Sequence, residues 1–387
     1  MLKIVIDATP IAPKPSGVGF YVASLIDALA ALQSQEDFQL GIAYQPGFKN
    51  WLRGRWEFPN CLKQYPELYF MPLPVRISNL LLDKFPRFFP LYFEPYLKFP
   101  KIIHGTNYNV YPYQKCLKVM SLYDLTFIKY PNYINAVVKT YTERVKRCLQ
   151  WTDLVITISE SSKKDIIEYL NVKPDRIYIT PLASRYYPNY LSVESKEKLK
   201  PSVNYDFSQP YILFVSTIEP RKNINAIISA FNYLKDQSKI EHHLILVGQK
   251  GWHHKPIFEA IGASPWKTQI HHLNYLSDEL VALLYSQTDV FVYPSHYEGF
   301  GLPVLEAMTL GAPVITSNTS SLPEVAGDAA LLIDPNDSIQ LADTILKVIS
   351  DSQFRSQLID KGQERAKLYS WERTAKETLK AYRSLLT

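Results

Sequence analysis

Two glutamates eight residues apart, Glu298 and Glu306, bracket the segment Tyr297-Glu298-Gly299-Phe300-Gly301-Leu302-Pro303-Val304-Leu305-Glu306. Gly299 and Gly301 let backbone amides approach a ligand with no Cβ in the way. Pro303 suits the first turn of a helix and Gly311 its end. The chain leaves an apolar strand at Val290–Tyr293 and enters that helix here, and a helix N-terminus behind a glycine loop attracts anions. Glu306 falls about one turn inside the helix. The segment reads as a holder for a polar, anionic, hydroxyl-bearing ligand. The two carboxylates also have the residue types of a glycoside hydrolase pair, but a glutamate on a helix beside an anion-binding mouth suits ribose hydroxyls better than acid catalysis.

A second constellation, Glu219-Pro220-Arg221-Lys222-Asn223, follows another apolar strand. Arg221 and Lys222 stand at the start of a helix, where the helix dipole disfavours cations. Beside the glutamate loop, that local cost points to a diphosphate partner. Gly248 ends a further strand, either approaching a base or phosphate or making a plain turn. Gly17 and Gly19, at the first strand–helix junction, are half a dinucleotide fingerprint. No acid follows at the place that would hold the ribose of a nicotinamide cofactor. His104 and Asp124 each follow an apolar strand and are expected to face a cleft. The histidines and the three cysteines form no metal pattern, and no metal site is expected.

Short β-branched runs alternate with helical patterns throughout, which predicts an α/β chain with doubly wound parallel sheets. Runs at Leu2–Ile6, Leu40–Ala43, Lys101–Ile103, Leu117–Leu122, Leu154–Ile158 and Ile177–Thr180 make a first set. A second set comprises Tyr211–Val215, His243–Val247, Ile270–Leu273, Val290–Tyr293, Pro313–Thr316 and Leu331–Ile333. A helix is expected over Val138–Leu149. Residues 1–200 are assigned to an N-terminal domain, the polar stretch 201–210 to a linker and 211–369 to a C-terminal domain. Residues 370–387 are expected to form a last helix. In such sheets ligands bind beyond the carboxyl ends of the strands, where Gly17, Glu219, Gly248 and Glu298 all fall.

The bulk numbers fit that picture. The chain has 387 residues, 47% hydrophobic and 20% charged, a length that favours two domains. No apolar run reaches the roughly 18 residues that span a bilayer. The opening strand, Met1 to Asp7, does not read as a signal peptide, and the odd, scattered cysteines read as reduced cytosolic thiols. A net charge of +5 without a nucleic-acid motif does not support nucleic acid as a partner. Residues 72–101 mix exposed-type aromatics (Phe85-Pro86-Arg87-Phe88-Phe89) with Arg76, Lys84, Lys98 and Lys101, a pattern that fits contact with a membrane or a lipid-linked acceptor.

Taken together, these residues resemble the retaining family 4 glycosyltransferases of group 1, which have two Rossmann-like domains with parallel sheets facing across a cleft, the GT-B fold. The resemblance is carried by Glu298-Gly299-Phe300-Gly301-Leu302-Pro303, Glu306-Ala307-Met308, Gly311-Ala312-Pro313-Val314, Leu322-Pro323-Glu324-Val325-Ala326-Gly327 and Arg221-Lys222-Asn223. It continues more loosely in Ser16-Gly17-Val18-Gly19, His104-Gly105, Tyr123-Asp124-Leu125 and Ile158-Ser159-Glu160, so that it covers nearly the whole chain. It implies that residues 1–200 form the acceptor-side domain, that 211–369 form the nucleotide-sugar-binding domain and that the last helix, 370–387, crosses back to the first domain. It also implies that Arg221 and Lys222 neutralise a leaving nucleoside diphosphate and that Glu306 binds the donor ribose. Glu298, with Gly299, Phe300, Gly301 and Leu302, then holds the donor sugar. Gly17, Gly19 and Gly248 admit the donor, while His104 and Asp124 serve the catalytic end. Relatives often carry His where this chain has Tyr123 and Arg where it has Phe20; His104 is the substitute contact. The implied reaction moves a sugar, with mannose the first choice, from a GDP- or UDP-linked donor to a glycan or lipid-linked acceptor. It proceeds with retention and without a metal or cofactor, in surface polysaccharide or glycolipid synthesis. The expected location is cytoplasmic, peripheral on the inner face of the plasma membrane. The alternatives are a non-catalytic nucleotide-sugar-binding protein and a nucleotide-sugar epimerase on the same fold.

Overall fold

The computed structural model describes residues 1–11, 17–54, 56–85, 89–134 and 136–386. Ser16 of the glycine-loop motif and Pro86-Arg87-Phe88 of the aromatic segment lie outside the described residues.

The chain forms two compact units. The first comprises Met1–Ile128, Val137–Leu182 and Trp371–Thr387, the second Lys129–Ala136 and Ala183–Ser370. The polar stretch 201–210, read as a linker, is part of the second unit. Polar composition marks exposure there, while Val203 is buried and Tyr205 packs its ring 5.3 Å from that of Tyr211 and 5.2 Å from that of His271. The division falls instead between Leu182 and Ala183.

Among its described residues the first unit contains seven strands: β1 (Leu2–Asp7), β2 (Phe38–Tyr44), β3 (Leu68–Phe70), β4 (Ile102–Gly105), β5 (Leu117–Ser121), β6 (Leu154–Thr157) and β7 (Ile177–Ile179). They pair in the order β3-β2-β1-β4-β5-β6-β7, every pair parallel. Parallel pairing demands crossover connections, and helices covering both faces explain why these strands are nearly continuous apolar runs. The helix Gly17–Leu32 buries Val22, Leu25, Ile26 and Leu29, the three-and-four spacing of a core-facing stripe. The last helix, Trp371–Arg383, packs in this unit. Its Thr374 hydroxyl donates to the Pro181 carbonyl at 2.6 Å, and the Trp371 ring meets the Phe20 ring edge-on at 5.7 Å. The expected helix over Val138–Leu149 divides at Thr140 into Ala136–Lys139 and Tyr141–Leu149.

The second unit contains β8 (Tyr211–Val215), β9 (His243–Val247), β10 (Ile270–Leu273), β11 (Val290–Tyr293), β12 (Val314–Ser317) and β13 (Leu331–Ile333), in the order β10-β9-β8-β11-β12-β13, again all parallel. Strand order reverses between β8 and β11. In a doubly wound sheet that reversal opens a crevice at the carboxyl ends of the two strands, because their following helices depart to opposite faces. Arg221 and Lys222 follow β8, and Glu298 follows β11.

Candidate active site

The loop after β8 ends in a short turn, Pro220–Lys222, capped by Asn223 in the left-handed conformation (φ 58°) before the helix Ile224–Asp236. This turn folds Arg221 and Lys222 back toward the β11 loop. The amide of His296 donates to the Arg221 carbonyl at 3.0 Å, and Arg221 Nη1 donates to the Tyr297 carbonyl at 2.5 Å. Residues 75 positions apart in sequence (296 minus 221) thereby share one backbone link. Glu298 is held from the opposite side. Its amide donates to Ser320 Oγ at 3.0 Å, and Ser321 Oγ donates to its carbonyl at 2.9 Å.

The side chains converge as the motif reading expects, but they also neutralise one another. Lys222 Nζ lies 2.6 Å from Glu298 Oε1 and 2.7 Å from the Tyr293 hydroxyl, which itself lies 3.0 Å from Glu298 Oε1. Arg221 Nη1 lies 3.2 Å from Glu298 Oε2, and Arg221 Nη2 lies 2.7 Å from Glu219 Oε1. Lys222, Glu298 and Glu219 are buried. Buried charges persist only when paired and hydrogen-bonded, and here two cations meet two carboxylates. Burial pushes the Glu298 carboxyl up, but Lys222 and Arg221 outweigh it and hold the group at about 2, so it is ionised at neutral pH. Burial, and then the neighbouring Arg221, lowers the Lys222 ammonium below its ordinary value while Glu298 and Glu219 oppose the shift. The sequence placed Glu219 at the ligand-binding strand ends but not as the partner of Arg221; its proximity to Arg221 in the same loop was the signal that could have found the pair.

The glycine loop then enters the helix Leu302–Thr309. Gly301 has φ +105°, and a Cβ there would meet Leu322 Cδ2 at 2.7 Å, so the position requires glycine. Its carbonyl accepts from Val304 N at 2.9 Å and opens the helix. Phe300 is buried with its ring edge-on to Tyr369 at 5.7 Å. Phe300 thus anchors the loop to the fold, while Gly299, Gly301 and Leu302 carry the backbone around the helix mouth.

Glu306 has different partners from Glu298. Its Oε1 lies 2.7 Å from Arg185 Nε, and Arg185 Nη1 reaches Asp278 Oδ1 at 2.9 Å. Burial raises the Glu306 carboxyl, and Arg185 opposes that rise. Arg185 stands 121 residues from Glu306 in a loop without a motif; nothing in the sequence pointed to the pair. Gly248, at φ +145°, would drive a Cβ to 1.9 Å from the Ser216 carbonyl oxygen. Close passage of two backbones therefore accounts for this glycine.

In the first unit, Gly17 opens the helix Gly17–Leu32, and a Cβ built on it meets nothing within 4 Å. Gly19 is buried on the same helix. Asp124 accepts from the Thr126 amide at 2.9 Å and so caps a local turn. The Tyr123 hydroxyl donates to the Thr106 carbonyl. His104 corrects an expectation. Instead of facing a cleft it is fully buried in β4, its Nδ1 2.7 Å from the Tyr382 hydroxyl and its Nε2 2.8 Å from Ser121 Oγ. Burial lowers it to about 3, so the ring is neutral at physiological pH. With both nitrogens engaged by the fold, it ties the last helix to the sheet and does not substitute for a sugar-contacting histidine. Among the described residues, no group of three or more His, Cys, Asp or Glu is arranged to hold a metal.

Comparison with known proteins agrees with this architecture. The family model for glycosyl transferases group 1 matches residues 195–365. The O-antigen chain mannosyltransferase B of Escherichia coli is 31% identical over 99% of this chain and 100% of its own length. Two solved structures share the fold. Sucrose-phosphate synthase from Thermosynechococcus elongatus superposes with a TM-score of 0.74 at 21% identity, covering 100% of this chain and 99% of its own. Anabaena HepE, in complex with UDP and glucose, superposes with a TM-score of 0.70 at 18% identity, covering 99% and 100%. The chain belongs to the group 1 glycosyltransferases, in a mannosyltransferase-like branch built on the GT-B fold.

Proposed function

We propose that the protein transfers mannose from a nucleotide-linked donor to a growing glycan or lipid-linked acceptor, with retention of configuration, in the synthesis of a surface polysaccharide. One observation carries the reading: Arg221, Lys222 and Glu298 meet at the carboxyl ends of β8 and β11, beside a glycine loop that opens a helix. The full-length likeness to an O-antigen mannosyltransferase supports the sugar and the pathway class, and the UDP and glucose bound by the Anabaena protein support a nucleotide-sugar donor.

In this account the donor diphosphate takes Arg221 and Lys222 as its countercharge. Glu298 turns to the sugar hydroxyls, with the amides of Gly299, Phe300, Gly301 and Leu302 around it, and Glu306 accepts from the ribose. Gly17 and Gly19 give donor and acceptor close access to backbone, and Asp124 serves the catalytic end. As the anomeric carbon–phosphate oxygen bond breaks, the sugar gains oxocarbenium character and the two cations stabilise the departing charge. The acceptor oxygen bonds to the same face, and its proton passes to the departing phosphate oxygen. Arg221 and Lys222 supply the charge that a divalent ion supplies elsewhere, so the reaction runs without a metal.

The described, exposed residues within 72–101 supply a surface for an anionic membrane face. Leu80, Phe85, Leu91, Tyr96 and Phe99 are exposed, and Arg76, Lys84, Lys98 and Lys101 are exposed among them. Apolar side chains insert shallowly while basic ones meet lipid phosphates. No helix among the described residues is long and apolar enough to cross a membrane. In this reading the enzyme works in the cytoplasm, peripheral to the inner face of the plasma membrane, with those exposed side chains as its contact.

The test is a screen for nucleoside diphosphate release from GDP-, UDP- and dTDP-sugars with acceptor, with and without chelator. Release from GDP-mannose that survives chelation is the expected result. Activity lost to chelator overturns the metal-free step, and turnover of a non-mannosyl donor alone overturns the sugar.

A further inference from the structure

We infer that Arg185 is the positioning residue for Glu306, fixing that carboxylate so that one oxygen remains to accept from the donor ribose. The inference rests on the ribose role proposed for Glu306. Glu306 is buried and, among the described residues, forms one ion pair, with Arg185 Nε 2.7 Å from Oε1. Its Oε2 accepts no hydrogen bond among the described residues. Arg185 is itself anchored at its other end, Nη1 lying 2.9 Å from Asp278 Oδ1 in the first turn of the helix Asp278–Gln287. The adjacent Tyr186 donates its hydroxyl to the Asp278 carbonyl at 3.1 Å, tying the Arg185 loop to the same helix end. The guanidinium is thus a fixed fork rather than a mobile surface charge, and its planar geometry sets the rotamer of the carboxylate it holds.

Two consequences separate positioning from mere packing. The first is selectivity. A carboxylate with Oε1 engaged presents Oε2 alone, so losing Arg185 affects only ligands that have a ribose hydroxyl to give. The second is protonation. The groups facing Glu306 are Arg185, Asp278, Tyr186 and Tyr285. Burial raises the Glu306 carboxyl and Arg185 is the cation that opposes it. Without Arg185 burial acts unopposed, the carboxyl rises further, and the ionised form is lost at a higher pH.

The experiment measures binding of GDP, UDP and their 2′,3′-dideoxy analogues by calorimetry between pH 5.5 and 8.5, for wild type, Arg185→Gln, Arg185→Lys and Glu306→Gln. Arg185→Gln is expected to weaken the preferred ribonucleotide roughly tenfold, about 1.4 kcal/mol, leave its dideoxy analogue unchanged and move the acid limb upward. Arg185→Lys should recover part of the loss. The unchanged dideoxy affinity also reports that the variant is folded; if Arg185→Gln does not fold, Arg185→Lys carries the same comparison with a smaller selective loss. Equal weakening of both ligands, or no change in either, overturns the positioning role. A wild type and Glu306→Gln that bind ribo and dideoxy forms alike overturn the ribose role itself, a separate outcome.

Discussion

Lys222 Nζ and Glu298 Oε1 are 2.6 Å apart, both groups buried, on loops that follow neighbouring strands of one parallel sheet. The cation proposed to meet the donor diphosphate is therefore already neutralised by the carboxylate proposed to meet the donor sugar. On the proposed reading, donor binding would exchange partners: phosphate replacing carboxylate on the ammonium, and hydroxyls replacing the ammonium on the carboxylate. Ionised groups stay in place without a donor because each supplies the other's countercharge.

Glu298→Gln should therefore damage the fold as well as the reaction. Breaking a buried pair by removing one partner costs about 3–5 kcal/mol, since Lys222 is left with the Tyr293 hydroxyl and the more distant Glu219. Urea unfolding at pH 7 should show a loss of that size. A loss below about 0.5 kcal/mol, the ordinary scatter of surface changes, would contradict the paired arrangement.

Much of this cluster was legible in the sequence. Arg221, Lys222 and Glu298 sit in short motifs directly after apolar strands, and a parallel sheet forces loops after β8 and β11 to meet at one edge. Pro303 and Gly311 likewise placed the helix Leu302–Thr309 to within a few residues. The Arg185–Glu306 pair was not legible, because it joins residues 121 apart through a loop of no recognisable pattern. His104 was misread for a related reason: a strand-end histidine beside a glycine looks the same in sequence whether it faces a ligand or, as here, a tyrosine from the last helix. Polar residues at 201–210 signalled exposure, which is not the same as a boundary.

Two glycine substitutions should separate conformational need from ligand access. Gly301→Ala places a Cβ 2.7 Å from buried Leu322 Cδ2 at φ +105°, and a strained position of this kind costs about 1–3 kcal/mol. Gly17→Ala meets nothing within 4 Å and should change stability by less than about 0.5 kcal/mol. Thermal unfolding checks both. A stable Gly17→Ala enzyme with reduced turnover would locate a ligand at that helix start; full turnover would remove Gly17 from the donor or acceptor path.

Acid should weaken the protein in two windows. His104 is neutral when folded, held at about 3 against an ordinary 6.5. The unfolded chain takes up a proton there first, so stability falls as pH drops below about 6.5. Glu298, held at about 2 against an ordinary 4.5, contributes stability that is present above about 4.5 and lost toward 2. His104→Gln should flatten the upper window. It should not abolish it, because His243, His271 and His296 are also held below their ordinary value, chiefly by burial. Urea midpoints across pH 4.5 to 7.5 measure this. An unaltered slope would contradict the buried neutral histidine, while turnover per folded molecule close to wild type supports its structural role.

The diphosphate role of Lys222 is tested most directly by single-turnover rates of nucleoside diphosphate release for wild type and Lys222→Ala at saturating donor. Losing one preorganised charge on a leaving group costs roughly 3–4 kcal/mol, a hundredfold or more in rate. The account predicts at least that loss in a variant that remains folded by thermal unfolding. A rate within about threefold of wild type, well short of that loss, would contradict it.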